Sequence, residues 1–204
     1  MAEERIPLIE TVDLKKYFKV GDKSFLHAVD GINMKVYAGE TIGVVGESGC
    51  GKSTLGRTIL RLIEPTSGQI LYNGDDITKY NTRQMKKMRQ ELQIIFQDPY
   101  ASLDPRKSVI EIIAEYMIIN KTLPKKREIF NRAAHLMDVV GLARRYATAY
   151  PHELHGGRRQ RIGIARALSV NPKFIVCDEP VSALDVSIQA QILNLLMDLQ
   201  DDMG

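Results

Sequence analysis

GESGCGKST, Gly46–Thr54, stands between the apolar run TIGVV (residues 41–45) and KSTLGRTILRLIE (residues 52–64), whose apolar residues recur at helical spacing. The nine residues satisfy G-x-x-x-x-G-K-[ST], and the flanks supply its required context: a short β-branched run suited to a strand buried on both faces, a bend, then a helix. Gly46, Gly49 and Gly51 let the backbone turn its amide N–H groups toward an anion, and the helix that follows directs its positive end to the same place. Ser48, Cys50 and Thr54 belong to the same phosphate-binding segment. Lys52 is expected to reach the β- and γ-phosphates of a nucleotide and the Ser53 hydroxyl to ligate Mg2+. A glycine-rich turn with a chance lysine is the alternative, and the agreement of pattern and flanks speaks against it. Cys50 reads either as a thiol activated by the helix N-terminus or, more simply, as a tolerated small residue.

The second half of the chemistry lies in FIVCDEP, residues 174–180. An apolar strand closing on Asp178-Glu179 offers one carboxylate (Asp178) for a metal shell and one (Glu179) to orient or deprotonate an attacking water. Two adjacent acids alone are usually a solvated surface pair; a phosphate loop in the same chain makes the functional reading the stronger one. The reaction implied is hydrolysis of a nucleoside triphosphate at its terminal phosphate.

Around these motifs, ETVDLKKYFKV and INMKVYAGE read as antiparallel strands, with Gly21-Asp22 and Gly39-Glu40 as turns. EPTSGQILYNGDDI returns to turn and strand, with Asn73-Gly74 as a tight-turn pair. From about Asp98 to Asn171 the pattern is helical (SVIEIIAEYMII, REIFNRAAHLMDVVGL, RRQRIGIARALSV), and VSIQAQILNLLMDLQDDM is an amphipathic helix. The order predicts an α/β fold with a parallel sheet flanked by helices. We divide it into a core with an antiparallel β-subdomain (1–97), an inserted α-helical subdomain (98–171) and a return to the core (172–204).

Composition excludes several classes. The chain has 204 residues, 44% hydrophobic and 26% charged, with a net charge of +3: enough for one sizeable core, and no field that argues for nucleic acid or an anionic membrane. Its most apolar stretch, VIEIIAEYMII, is broken by Glu111 and Glu115, so no membrane span is expected. MAEERIP places acids where a signal peptide has basic residues. Cys50 and Cys177 stand far apart without a CxxC, which fits a reducing cytoplasm. His27, His135 and His152 lack metal-ligand spacing and read as structural or surface residues. Arg158, Arg159, Arg161 and Arg166 spread around their helix without an aromatic platform, which favours a solvated or phosphate-facing helix over a nucleic-acid patch.

Taken together, the phosphate loop, IIFQDPYASLDPR around Gln97, YPHELHGGRRQRIGIARAL and VCDEPVSALD resemble the ATP-binding cassette ATPases in order and spacing. QDPYASLDPR, YPHEL and CDEPVSALDVSIQAQILNLL are similar to the importer branch that powers oligopeptide, dipeptide and nickel uptake, nearest its "F"-type ATPase subunit. The resemblance implies a P-loop NTPase core that binds ATP and Mg2+, acting as the ATPase that couples hydrolysis to peptide uptake. It implies an aromatic at Tyr17 that stacks on adenine, with Phe18 as rival, and a Gln97 that touches the metal and the attacking water. Asp185 matches a loop acid that communicates between cassettes, and Gly156 and Gly157 belong to the signature segment that completes a partner's ATP site. The implied partners are a second ATPase subunit in a homo- or heterodimer, permease subunits and, through them, an extracytoplasmic peptide-binding protein. The chain would work peripherally on the cytoplasmic side of the membrane.

Two departures qualify this. The family's LSGGQ reads here Leu154-His155-Gly156-Gly157-Arg158; the lost serine hydroxyl would have donated to the γ-phosphate, a bond worth about 1.5–3 kcal/mol. Charge from Arg158, and from His155 when protonated, partly offsets that loss, and impaired closure is the expectation. The family also carries, after the helix that here reaches Met203, a further strand with a switch histidine, lying between the strand before Gly46 and the strand ending at Asp178. With the C-terminal part of the core missing from this sequence, low stability and little or no hydrolysis are expected of the chain alone. The alternative function is a degenerate or truncated subunit that binds ATP with little turnover.

Overall fold

Alternating side chains along Ile9–Lys19 (β1) send Ile9 and Thr11 inward, and beyond an irregularity at Asp13 Leu14 is buried as well. Residues 5–203 are described by a computed structural model; the acidic start at 1–4 and Gly204 lie outside the described residues. The chain divides into two compact units, one ending at Arg89 and the other spanning Gln90–Met203.

In the first unit β1 pairs antiparallel with Phe25–Val36 (β2) and with Ser67–Tyr72 (β3), and β3 pairs with Asp75–Asp76 (β4), giving the order β2-β1-β3-β4. The turn Asn73-Gly74, at φ 48° and 86°, is the tight pair its sequence announces. β1 is not regular. Asp13 has φ 45°, the register shifts there against both neighbours, and its N–H donates to Asn33 Oδ1 at 2.9 Å. A Cβ on Gly68 (φ 90°) would lie 2.3 Å from the Asp13 carbonyl oxygen, so the bulge requires a glycine opposite it. Beyond the bulge, Tyr17 stands across from His27.

Lys52–Ile59 (α1) packs Leu55 and Ile59 against β1 and β2. It ends earlier than its apolar periodicity suggests, because Arg61 turns left-handed (φ 49°) and donates to the carbonyls of Ile77 (2.6 Å) and Tyr80 (2.9 Å) while pairing with Glu64 at 2.9 Å. Thr82–Glu91 (α2) buries Met85 and Met88.

The run TIGVV, expected as a strand buried on both faces, is not a strand. Residues 41–50 are exposed, with Val45 95% accessible, and no ladder includes residues 41–45. A parallel strand exists through its hydrogen-bonded neighbours, and apolar sequence without such a neighbour does not make one.

The second unit holds Leu92–Ile95 (β5) and Phe174–Cys177 (β6) in parallel register, Leu92 against Phe174 through Ile95 against Cys177. Between them in sequence come Pro99–Ser102 (α3), Val109–Asn120 (α4), Lys126–Val139 (α5) and Gly156–Leu168 (α6); Val186–Met203 (α7) follows β6. Ile112, Ile113, Met117, Met137, Ile162 and Ile164 form a fully buried helical core. Glu111 reaches back to accept from the Ser108 N–H at 2.9 Å, which starts α4. The arginines of α6 tie this unit together: Arg159 donates to the Pro151 carbonyl (2.7 Å), Arg161 to that of Val140 and Arg166 to that of Ser102 (both 2.5 Å).

Candidate functional site

Gly51 caps α1 in the left-handed conformation (φ 102°), Leu55 N–H donates to its carbonyl at 2.8 Å, and Gly49 is also left-handed (φ 80°). A Cβ on Gly51 would lie 2.0 Å from the Ala28 carbonyl oxygen, so the loop closes directly on the backbone of β2. The Lys52 ammonium donates to the carbonyls of Gly46 (2.9 Å) and Glu47 (2.8 Å), spanning its own loop. A Cβ on Gly46 would lie 2.7 Å from Cys50 Sγ, so the Cys50 side chain fills space that glycine leaves. Ser48 is exposed and Ser53 and Thr54 are half-buried, the last two in the first turn of α1.

Tyr17 lies on the same sheet whose strand β2 meets Gly51. Its ring stacks on His27 with centroids 3.8 Å apart and planes 10° from parallel, and its hydroxyl donates to Asp30 Oδ1 at 2.5 Å. That hydrogen bond, first among the causes, raises the Tyr17 hydroxyl above the ordinary phenol range and lowers the Asp30 carboxyl, so the tyrosine stays a donor. Phe18 is covered differently, with Lys16 Nζ 5.0 Å from its ring centroid. Sequence reasoning set His27 aside for want of metal spacing and did not weigh Asp30. The signal that finds both is cross-strand register, which depends on the bulge at Asp13.

In the second unit β6 delivers Asp178, 5% exposed, with its N–H donating to the Ile95 carbonyl at 2.9 Å. Glu179 follows at φ 47°, a left-handed conformation uncommon for a residue with a side chain. Gln97 Nε2 donates to Glu179 Oε2 at 2.7 Å and lies 3.2 Å from Ser182 Oγ, and Ser182 Oγ donates to the Glu179 carbonyl at 3.2 Å. The structure thus brings together Gln97 and Glu179, 82 residues apart in sequence, and adds Ser182. No group of three or more His, Cys, Asp or Glu among the described residues is arranged to hold a metal ion. Of the residues expected to hold Mg2+, Ser53 belongs to the first unit and Gln97 and Asp178 to the second; a hydroxyl, an amide oxygen and a carboxylate are each the hard oxygen donors that Mg2+ takes.

His155 is exposed at the N-cap of α6. A Cβ on Gly156 would lie 3.0 Å from Leu184 Cδ2 and one on Gly157 2.6 Å from Ile188 Cγ2, so both glycines let α6 start against the segment entering α7. Asp185 begins that helix, its carbonyl accepting from Ile188 and Gln189 at 2.9 Å, and its side chain is exposed. Arg158 does not stand free: its guanidinium lies 4.5 Å from the Tyr146 ring centroid, with Arg145 over the same ring at 5.1 Å.

Residues 29–182 match the family described as ABC transporter. The chain belongs to the ABC transporter family. The cassette is 51% identical over 198 residues to the oligopeptide transport ATP-binding protein OppF of Bacillus subtilis (97% of this chain, 65% of that protein). It is 46% identical over 203 residues to the dipeptide transport ATP-binding protein DppF of Escherichia coli (97% of this chain, 60% of that protein). It therefore spans less than two thirds of the length of these relatives. Among solved structures it is similar to the ATP-binding cassette MJ0796 in a dimeric post-hydrolysis state bound to ADP and Pi, at 29% identity and TM-score 0.87, covering 96% of this chain and 84% of that one. No helix among the described residues of the cassette is long and apolar enough to cross a membrane.

Proposed function

We propose that this cassette is the ATP-binding subunit of an importer, coupling ATP hydrolysis to the uptake of oligopeptides or dipeptides. The observation that carries the reading is 46–51% identity across 97% of the chain to proteins named as oligopeptide and dipeptide transport ATP-binding proteins. The subunit would sit peripherally at the cytoplasmic face, on permease subunits served by an extracytoplasmic peptide-binding protein. It would pair with a second cassette, identical or different, whose nucleotide would meet His155, Gly156 and Gly157 and whose state would be sensed through Asp185.

In this reading the amides of residues 46–54 turn to the phosphate oxygens of ATP, the Lys52 ammonium leaves the Gly46 and Glu47 carbonyls for the β- and γ-phosphate oxygens, and Tyr17 takes the adenine ring. Gln97 orients a water and Glu179 takes its proton as the water oxygen bonds to the γ-phosphorus and the bond to the bridging oxygen breaks, releasing ADP and phosphate. Mg2+, when bound by Ser53, Gln97 and Asp178, supplies positive charge against the phosphates. The Gln97–Glu179 hydrogen bond supports this division of labour, since it holds the base and the water-orienting amide side by side.

The test is the assembled transporter carrying Glu179→Gln. ATP binding is retained, while ATP turnover and uptake of labelled peptide fall roughly 100- to 10,000-fold, the span of a lost general base. Full turnover in this variant, or uptake of nickel but not peptide by the unaltered complex, overturns the reading.

A further inference from the structure

An aromatic ring that receives a nucleobase must be held still, and a tyrosine at the end of an exposed strand is free to swing unless something fixes it. Tyr17 is fixed at two points. Its cross-strand partner His27 lies flat against one face at 3.8 Å, and its hydroxyl is tied to Asp30 Oδ1 at 2.5 Å. His27 and Asp30 are themselves linked, Nδ1 to Oδ2, at 3.5 Å. The three side chains form a closed triangle on β1 and β2. Ala28, between His27 and Asp30 on β2, is the residue whose carbonyl oxygen abuts Gly51 of the phosphate loop. One short stretch of β2 therefore registers the ring and the loop against the same backbone.

We propose that His27 and Asp30 are positioning residues for nucleotide base binding: His27 backs one face of Tyr17 and Asp30 anchors its hydroxyl, leaving the opposite face as the platform for the base. A ring has two faces, and with one covered by imidazole the base stacks on the other, in the order His27, Tyr17, base. Stacking across π-faces tolerates many bases, so the unit governs affinity more than base identity. The inference rests on the reading of Tyr17 as the base-binding aromatic, and the experiment separates the two.

Equilibrium binding of ATP and of tripolyphosphate, a probe with no base, is measured on the full chain with Tyr17→Ala, His27→Ala, Asp30→Asn and His27→Phe. Tyr17→Ala is expected to weaken ATP and leave tripolyphosphate unchanged. His27→Ala and Asp30→Asn each weaken ATP by roughly two- to tenfold, the effect of one lost hydrogen bond or ring contact, again with tripolyphosphate unchanged. His27→Phe, which keeps a flat ring behind Tyr17, restores ATP binding. Unchanged tripolyphosphate binding reports an intact loop in every variant, so a folding defect is not mistaken for the effect. If Tyr17→Ala weakens ATP but His27→Ala does not, or tightens it because imidazole had filled the base's place, the positioning role is overturned while the Tyr17 reading stands. If Tyr17→Ala leaves ATP unchanged, both are overturned.

Discussion

Gly51 shows how one residue can be fixed twice over, by backbone conformation and by space. At φ 102° a side chain is strained, and a Cβ there would overlap the Ala28 carbonyl at 2.0 Å. Gly39, at φ 77°, has nothing within 4 Å of its would-be Cβ. Gly39→Ala is therefore expected to cost only the left-handed penalty of about 1–2 kcal/mol, whereas Gly51→Ala costs more than that and abolishes nucleotide binding. Thermal melts and ATP titration of the two variants check this; equal melting temperatures would contradict it. Among the proposed site residues, Lys52, Ser53, Asp178 and Glu179 were singled out by motif and flanking pattern, and Gln97 by resemblance alone. Ser182 was not, because its place beside Gln97 and Glu179 depends on the turn after β6. Arg158 was read as a charge for a nucleotide; the structure also sets it over Tyr146, 12 residues upstream and across a turn that periodicity does not locate.

At the scale of elements, local chemistry decides how the strands of the first unit end. Asp76 closes β4 and caps the turn Ile77–Lys79: it accepts from Thr78 N–H at 3.1 Å and Gln69 Nε2 at 3.1 Å and pairs with Lys79 at 2.9 Å. Desolvation pushes its carboxyl up, but the hydrogen bonds from Thr78, Lys79 and Gln69 outweigh it and hold the group at about 2. A depressed carboxylate stabilises the fold above its unfolded value, near 4, and loses that contribution as pH falls through about 2. Denaturant midpoints measured from about pH 4 to pH 2 should fall more steeply for the unaltered chain than for Asp76→Asn, and Asp76→Ala should cost about 1 kcal/mol near neutral pH as a lost cap. Parallel slopes would contradict the assignment. The helices of the second unit were legible because their apolar residues recur every three to four positions. The short strand β5 was not, since Leu92 follows α2 directly at Glu91 with no turn residue to mark a boundary, and its identity comes from pairing with β6.

For the molecule as a whole, the telling segment is TIGVV. Its composition is that of a central strand, yet it runs as exposed backbone outside every ladder. Amides of residues 42–45 are expected to exchange with solvent within seconds, while those of Thr11 and Ile70 in the β1–β3 ladder remain protected for far longer, which hydrogen-exchange mass spectrometry would resolve. Protection of residues 42–45 equal to that of β1 would contradict this. The sequence by itself determined the phosphate loop, the acidic pair after β6, the antiparallel strands and the helices, because each is written in contiguous spacing and local backbone preference. Only the tertiary structure decided that Gln97 holds Glu179, that His27 and Asp30 hold Tyr17, that the α6 arginines bind neighbouring carbonyls and that TIGVV is not a strand. Each of these depends on which distant groups arrive as hydrogen-bond or packing partners, and no local pattern encodes a partner.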